Sequence, residues 1–126
     1  MGLRVTVAES NSDFLQQIVS ILSGKFEVVS IATEGKSALE SICEHRPDVA
    51  VLDLKLPGIN GLEIVRQTAN CVPRLPVVMC STESDPDFID AAADAGILGY
   101  VLKNRIASDL IGAIEAVARG DRFVSA

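Results

Sequence analysis

The chain has 126 residues, of which 48% are apolar and 22% charged, and its formal net charge is −6. That size and balance describe one globular domain with its own core and exclude a disordered chain. The acidic balance argues against direct binding to a nucleic-acid backbone, and no apolar run reaches the ~20 residues needed to cross a bilayer.

Met1 leads at once into a strand-like stretch, so no secretory signal is expected. Residues 3–8 read as the first strand. Asn11 or Ser12 can cap a helix whose apolar residues Phe14, Leu15, Ile18, Val19 and Leu22 recur at a helical period, with Gly24 as its stop. Residues 26–31 form a second strand, and Gly35 opens a helix bearing Ala38, Leu39, Ile42 and Cys43 that Pro47 terminates. Val49-Ala50-Val51-Leu52 is an unbroken apolar run of the kind a central parallel strand shows, and Asp53 follows it directly. The segment Leu56-Pro57-Gly58-Ile59-Asn60-Gly61 is turn chemistry, after which Leu62, Ile64 and Val65 mark a third helix. Pro73 and Pro76 bracket a loop before a fourth strand at 77–80. Ser84 or Asp85 caps a fourth helix that has Pro86 in its first turn and Gly96 at its end. Residues 98–102 form a fifth strand, and Ser108 or Asp109 caps a last helix with Leu110, Ile111, Ile114 and Val117, ending at Gly120.

Five strand–helix units in about 120 residues imply an α/β fold with a parallel sheet covered on both faces. Right-handed crossovers reduce the topologies to a doubly wound five-stranded sheet, (βα)5, in the flavodoxin-like order 2-1-3-4-5.

Cys43, Cys71 and Cys80 show no metal-binding spacing, and all three are expected to be small core residues in a reduced compartment. His45 is the only histidine, and no nucleophile motif accompanies it. There is no glycine-rich GxxxxGK[ST] loop and no GxGxxG after the first strand. An FMN site is disfavoured too, because the short loop Glu9-Ser10-Asn11-Ser12 carries an acid where a phosphate would sit.

Ligands of such sheets bind beyond the C-terminal ends of the strands. Glu9 and Ser10 follow the first strand, Asp53 the third, Ser81 and Thr82 the fourth, and Lys103 the fifth. Taken alone, each reads as a turn, cap or solvated residue. Together they bring two carboxylates, a hydroxyl and an ammonium to one edge. Such a set can hold Mg²⁺ through oxygens, meet a phosphoryl group with the ammonium, and offer Asp53 as a nucleophile that becomes an acyl phosphate.

At this point the chain resembles a response-regulator receiver domain of two-component systems. The stretch from Val49 to Glu63 resembles that family's phosphoacceptor segment with its P-G-x-x-G turn. Pro76 to Ser81 resembles its fourth strand, and Gly99 to Asn104 its fifth strand with the site lysine. The run Ala113 to Gly120 resembles the last helix of the LuxR/NarL-type subgroup.

The resemblance implies that Asp53 accepts a phosphoryl group from a sensor histidine kinase and that Lys103 stabilises it. Ser81 and Tyr100 would act as the switch pair. Mg²⁺ would be held by Glu9, Asp53 and the backbone carbonyl of Lys55. It also implies no enzymatic activity beyond self-phosphorylation, a cytoplasmic location, a homodimer on activation, and transcription regulation through a C-terminal helix-turn-helix domain outside this chain. Residues 1–120 would be the receiver domain and 121–126 the start of a linker or C-terminal tail.

One departure stands out. The family carries two adjacent acids after the first strand, whereas here the pair is Glu9-Ser10, which makes Ser10 a doubtful metal ligand and weakens the expected hold on Mg²⁺. The alternative this opens is an atypical receiver, a phosphorylation-independent protein-interaction domain. Lys55 and Glu83 lie two residues beyond Asp53 and Ser81. Their opposite charges are expected to pair across the mouth of the site and to lengthen the lifetime of a phosphoryl group.

Overall fold

The computed structural model describes residues 2–125. Its elements in chain order are β1 (Arg4–Ala8), α1 (Ser12–Ser23), β2 (Glu27–Ala32), α2 (Gly35–His45), β3 (Val49–Asp53), α3 (Gly61–Thr68), β4 (Val77–Ser81), α4 (Pro86–Asp94), β5 (Gly99–Leu102), α5 (Ile106–Ala118) and β6 (Phe123–Val124). The strands form one sheet of order β2-β1-β3-β4-β5-β6, and every neighbouring pair is parallel. The expected doubly wound core is therefore present, with one short strand more than the sequence predicts.

The alternation of β3 shows how the sheet is covered. Val49 and Val51 face one layer with Ile18 and Leu22 of α1 and Leu110, Ala113, Ile114 and Val117 of α5. Ala50 and Leu52 face the other, with Ala38 and Ile42 of α2, Ile64 of α3 and Ala92 of α4. All five residues of β3 and of β4 are buried, as strands packed on both faces require. No helix among the described residues is long and apolar enough to cross a membrane.

Local chemistry sets the helix ends. The Asn11 carboxamide accepts from the N–H groups of Asp13 and Phe14, Asn60 from Glu63, and Asp85 from Asp87, each satisfying donors that a helix start leaves free. At the end of α2, Arg46 turns left-handed (φ 47°). There the Arg4 guanidinium donates to the carbonyls of His45 and Arg46 at 2.8 and 2.9 Å, tying β1 to the helix terminus.

Three expectations need correction. The last helix starts neither at Ser108 nor at Asp109. A 3₁₀ turn at Lys103–Arg105 runs directly into α5 at Ile106, and Asp109 pairs with Arg105 at 2.9 Å instead of capping. Of residues 121–126, expected to start a linker, Phe123–Val124 add β6 to the sheet edge, and Ala126 lies outside the described residues. There the Phe123 and Ser125 N–H groups donate to Leu98 and Tyr100. Cys43 and Cys71 are not core fillers. They form a disulfide, with Cα atoms 5.4 Å apart, because α2 and α3 pack side by side. Only Cys80 is a buried free thiol, so the cysteines give no argument for a reduced compartment.

The start of α3 lies hard against the end of β3. The Gly61 N–H donates to Leu54 O at 3.0 Å. A Cβ at Gly61 would sit 2.7 Å from Met79 Sδ and 2.8 Å from the Asp53 carbonyl oxygen. Backbone oxygen cannot yield as a flexible side chain can, so the overlap outweighs the gain in helix propensity. Gly61→Ala is expected to destabilise the fold by about 1–3 kcal/mol in urea unfolding.

Candidate functional site

The strand register builds the site. Ala8 pairs with Leu52, so Glu9 stands level with Asp53. Asp53 pairs with Cys80, so Ser81 is one residue further along β4. Ser81 pairs with Leu102, so Lys103 emerges one residue beyond that. The strand register thus brings four residues, Glu9, Asp53, Ser81 and Lys103, to the C-terminal edge although up to 94 positions separate them in sequence.

Lys103 is the centre. Its Nζ lies 2.9 Å from Glu9 Oε2 and 3.2 Å from Asp53 Oδ2. Glu9 is 0% exposed, Asp53 4%, and the Lys103 side chain 9%. The ammonium also sits 4.9 Å from the centre of the Phe14 ring, an arrangement in which the aromatic face favours the cation. Nothing in the helical spacing of Phe14 signals this second task. The Asn11 N–H donates to Glu9 Oε2 at 3.0 Å, so the loop that caps α1 also orients the acid.

The other oxygens are less completely served. Asp53 Oδ1 accepts from the Lys55 N–H at 3.1 Å, and the Ser10 hydroxyl reaches Oδ2 at a long 3.4 Å. Glu9 Oε1 is buried with no hydrogen-bond partner among the described residues. Burial pushes the Glu9 carboxyl above its ordinary pKa. Lys103 and the Asn11 N–H pull it down, and Asp53 adds to the rise.

Among the described residues no group of three acids, histidines or cysteines surrounds a metal position. The donor set nevertheless suits a hard cation that keeps water and phosphate oxygens. It comprises the unpartnered Glu9 Oε1, the Asp53 carboxylate and the neutral Ser10 hydroxyl.

A second cluster adjoins the first. Lys55 Nζ is 2.8 Å from Glu83 Oε1, the pair expected from the sequence, and Glu83 holds the exposed ammonium above its ordinary pKa. The Ser81 hydroxyl accepts from the Glu83 N–H at 2.9 Å, and the Tyr100 hydroxyl donates to the Glu83 carbonyl at 2.8 Å. Tyr100 is 2% exposed and packed in the α2–α4 layer, and burial raises its pKa. Glu83 therefore touches Lys55, Ser81 and Tyr100 through three different groups. The structure brings Glu9, Ser10, Asp53 and Lys103 together. It ties Ser81 to Glu83 rather than to Asp53.

A doubly wound parallel sheet with an acid pair, a lysine and a strand-end hydroxyl at its C-terminal edge is the architecture of a receiver-type signalling domain. The chain belongs to the response regulator receiver domain family, whose model matches residues 5–115. It is 31% identical over 125 residues to the transcriptional regulatory protein NarL of Mycobacterium tuberculosis, covering 98% of this chain and 58% of that protein. It is 28% identical over 124 residues to DegU of Brevibacillus brevis, covering 97% of this chain and 52% of that protein. The chain thus spans about half the length of the curated relatives it matches.

Among solved structures, the signal receiver domain of NarL from Mycobacterium tuberculosis superposes with a TM-score of 0.88 at 31% identity. That match covers 94% of this chain and 98% of that one. A LuxR-family regulator from Aurantimonas sp. SI85-9A1 gives 0.92 at 26%, covering 99% and 91%. The relatives are LuxR/NarL-type regulators, and a phosphate-independent interaction domain is not the favoured reading.

The Glu9 environment makes a pH prediction. With its pKa raised above the unfolded value near 4.5, native Glu9 keeps a proton over a window in which the unfolded chain has released it. Stability from this group is then full below the ordinary glutamate range and falls as pH rises through the native pKa. In urea midpoints from about pH 4 to about pH 7, Glu9→Gln should gain on the native chain as pH rises.

Proposed function

We propose that this receiver domain accepts a phosphoryl group on Asp53 and switches an output surface through Ser81 and Tyr100. The observation that carries the reading is Lys103 Nζ between Glu9 and Asp53 at a buried sheet edge. An Asp53 oxygen attacks the phosphorus of a phosphohistidine on a sensor kinase, the imidazole leaves, and an acyl phosphate remains. The Lys55 N–H fixes the carboxylate through Oδ1. Lys103 already stands beside Oδ2, so its charge meets the incoming phosphoryl oxygens without reorganisation. Self-phosphorylation is the only chemistry this reading asks of the chain.

Mg²⁺ would be held by Glu9, Asp53 and the Lys55 carbonyl, with Ser10 a weak fourth ligand, and would supply positive charge at the phosphoryl oxygens. Formally, Glu9 and Asp53 against Lys103 leave −1. The hold on the metal is therefore expected to be weak before phosphorylation.

Glu83 makes the relay. The Ser81 hydroxyl accepts from the Glu83 N–H and so keeps its own proton to donate to a phosphoryl oxygen, while the Glu83 carbonyl accepts from the buried Tyr100 hydroxyl. Glu83 is thereby the shared neighbour through which a shift of Ser81 would reach Tyr100. For the whole protein we propose a cytoplasmic transcription regulator with a partner histidine kinase, dimerisation on phosphorylation and a DNA-binding output domain beyond this chain.

Incubation with a small acyl-phosphate donor and Mg²⁺ should add one phosphoryl group by intact mass. Asp53→Asn should abolish the adduct and omission of Mg²⁺ should suppress it; an adduct that survives Asp53→Asn would overturn the assignment. Lys55→Ala should speed loss of the adduct severalfold while changing fold stability little, since the pair is exposed. An unchanged rate would remove Lys55 and Glu83 from the control of lifetime.

A further inference from the structure

The disulfide lies away from the acid edge and has no part in the chemistry above. Cys43 is on α2, two residues before its end, and Cys71 lies in the turn after α3. Both residues are half-buried rather than enclosed, unlike Cys80. The third cysteine does not compete. Cys80 is fully enclosed in the layer beneath α1 and α5, and burial pushes its thiol up to about 12, which keeps it protonated and out of exchange. The chain therefore carries one half-buried sulfur pair and one inert thiol.

Besides the bond, the segment is held by few backbone hydrogen bonds and by the half-buried Val72 and Leu75, which pack against the α2–α4 layer. The Cys71 and Val72 N–H groups turn back onto Thr68 O at 3.0 and 2.8 Å. Pro73 and Pro76 have no N–H to donate. Arg74 is left-handed, with φ 59°. Among the described residues the segment joins the sheet through a backbone bond only where Pro76 O accepts from Ala50 N at 3.0 Å. Val72, Arg74 and Leu75 of this segment line a cleft of about 700 Å³ together with Leu98, Val117 and Arg119, at the sheet end opposite Asp53.

We propose that Cys43 and Cys71 are a reversible thiol–disulfide modification site that sets the order of the segment between α3 and β4. A thiolate of an external dithiol attacks one sulfur, the Cys43–Cys71 bond breaks, and a mixed disulfide forms. The second thiol of the reductant resolves it. Two electrons and two protons pass to the protein, which leaves with two thiols, while the reductant leaves as its own disulfide. Oxidised, the bond anchors the turn to α2. Reduced, the turn keeps its local hydrogen bonds and the packing of Val72 and Leu75 but loses its covalent anchor to α2, and the wall of the cleft loosens.

The test uses the native chain in glutathione buffers from fully reduced to fully oxidised, followed by alkylation and intact mass. Two cysteines should label without denaturant at the reduced end and none at the oxidised end, reversibly, with Cys80 labelling only on unfolding. Amides between Ala69 and Leu75 should exchange with deuterium about tenfold faster after reduction with dithiothreitol, while β1 and β3 are unchanged. The melting temperature should fall by about 10 °C, as for loss of a crosslink closing a loop of this size.

Cys43→Ser should show the fast exchange without reductant. If that variant does not fold, the comparison of reduced and oxidised native chain decides alone. A bond that survives every buffer, thiols that never pair, or exchange that is equal in both states would overturn the proposal.

Discussion

Two carboxylates can share a buried sheet edge only if positive charge comes with them. Lys103 supplies it, lying within 3.2 Å of both Glu9 and Asp53. Charges taken out of water cost several kcal/mol each unless they are paired and hydrogen-bonded, so the surroundings of this triad are tightly constrained. The register of β1, β3 and β5 delivers the three groups, Asn11 directs an N–H at Glu9, and Phe14 lies under the ammonium. The pairing is incomplete. Glu9 Oε1 has no partner, and an unmet acceptor in a buried place is the kind of local cost that functional sites retain.

That incompleteness gives the edge its chemistry. A fully satisfied ion cluster would be inert structure. Here one buried oxygen awaits a proton or a cation, and the Ser10 hydroxyl makes only a long contact to Asp53. The second cluster, around Glu83, adjoins the first. The N–H, carbonyl and carboxylate of one residue are tied respectively to Ser81, Tyr100 and Lys55. The sheet beneath holds both clusters on rigid strand ends, while α4, whose Phe88 is 38% exposed, presents one of the outer faces.

Much of this was legible in residue order, for a physical reason. A parallel strand buried on both faces must be a continuous apolar run, and Val49 to Leu52 is one, so the Asp that ends it is located at once. Glu9, Ser81 and Lys103 follow from the same rule, and the opposite charges two residues past Asp53 and Ser81 anticipated the pair of Lys55 and Glu83. What was not legible depends on packing across the fold. The Cys43–Cys71 bond spans 28 residues and exists because two helices lie side by side. Phe14 reads as an ordinary apolar helix residue, and its place under Lys103 appears only when α1 meets the end of β5. Strand β6 is two residues long, too short for any periodicity. It is held by backbone bonds and by Ser125, whose hydroxyl donates to Asp109 Oδ2 at 2.8 Å. The same bond explains why Asp109, which looked like a helix cap, is engaged elsewhere.

The central claim is that Lys103 is what keeps two buried acids together. It is tested most directly by following the Glu9 side-chain carboxyl carbon by NMR through a pH titration, in the native chain and in Lys103→Met. The account predicts that native Glu9 titrates above the ordinary glutamate range and that loss of the ammonium raises it further. Titration of native Glu9 at the ordinary value, or a midpoint that Lys103→Met leaves unmoved, would contradict it.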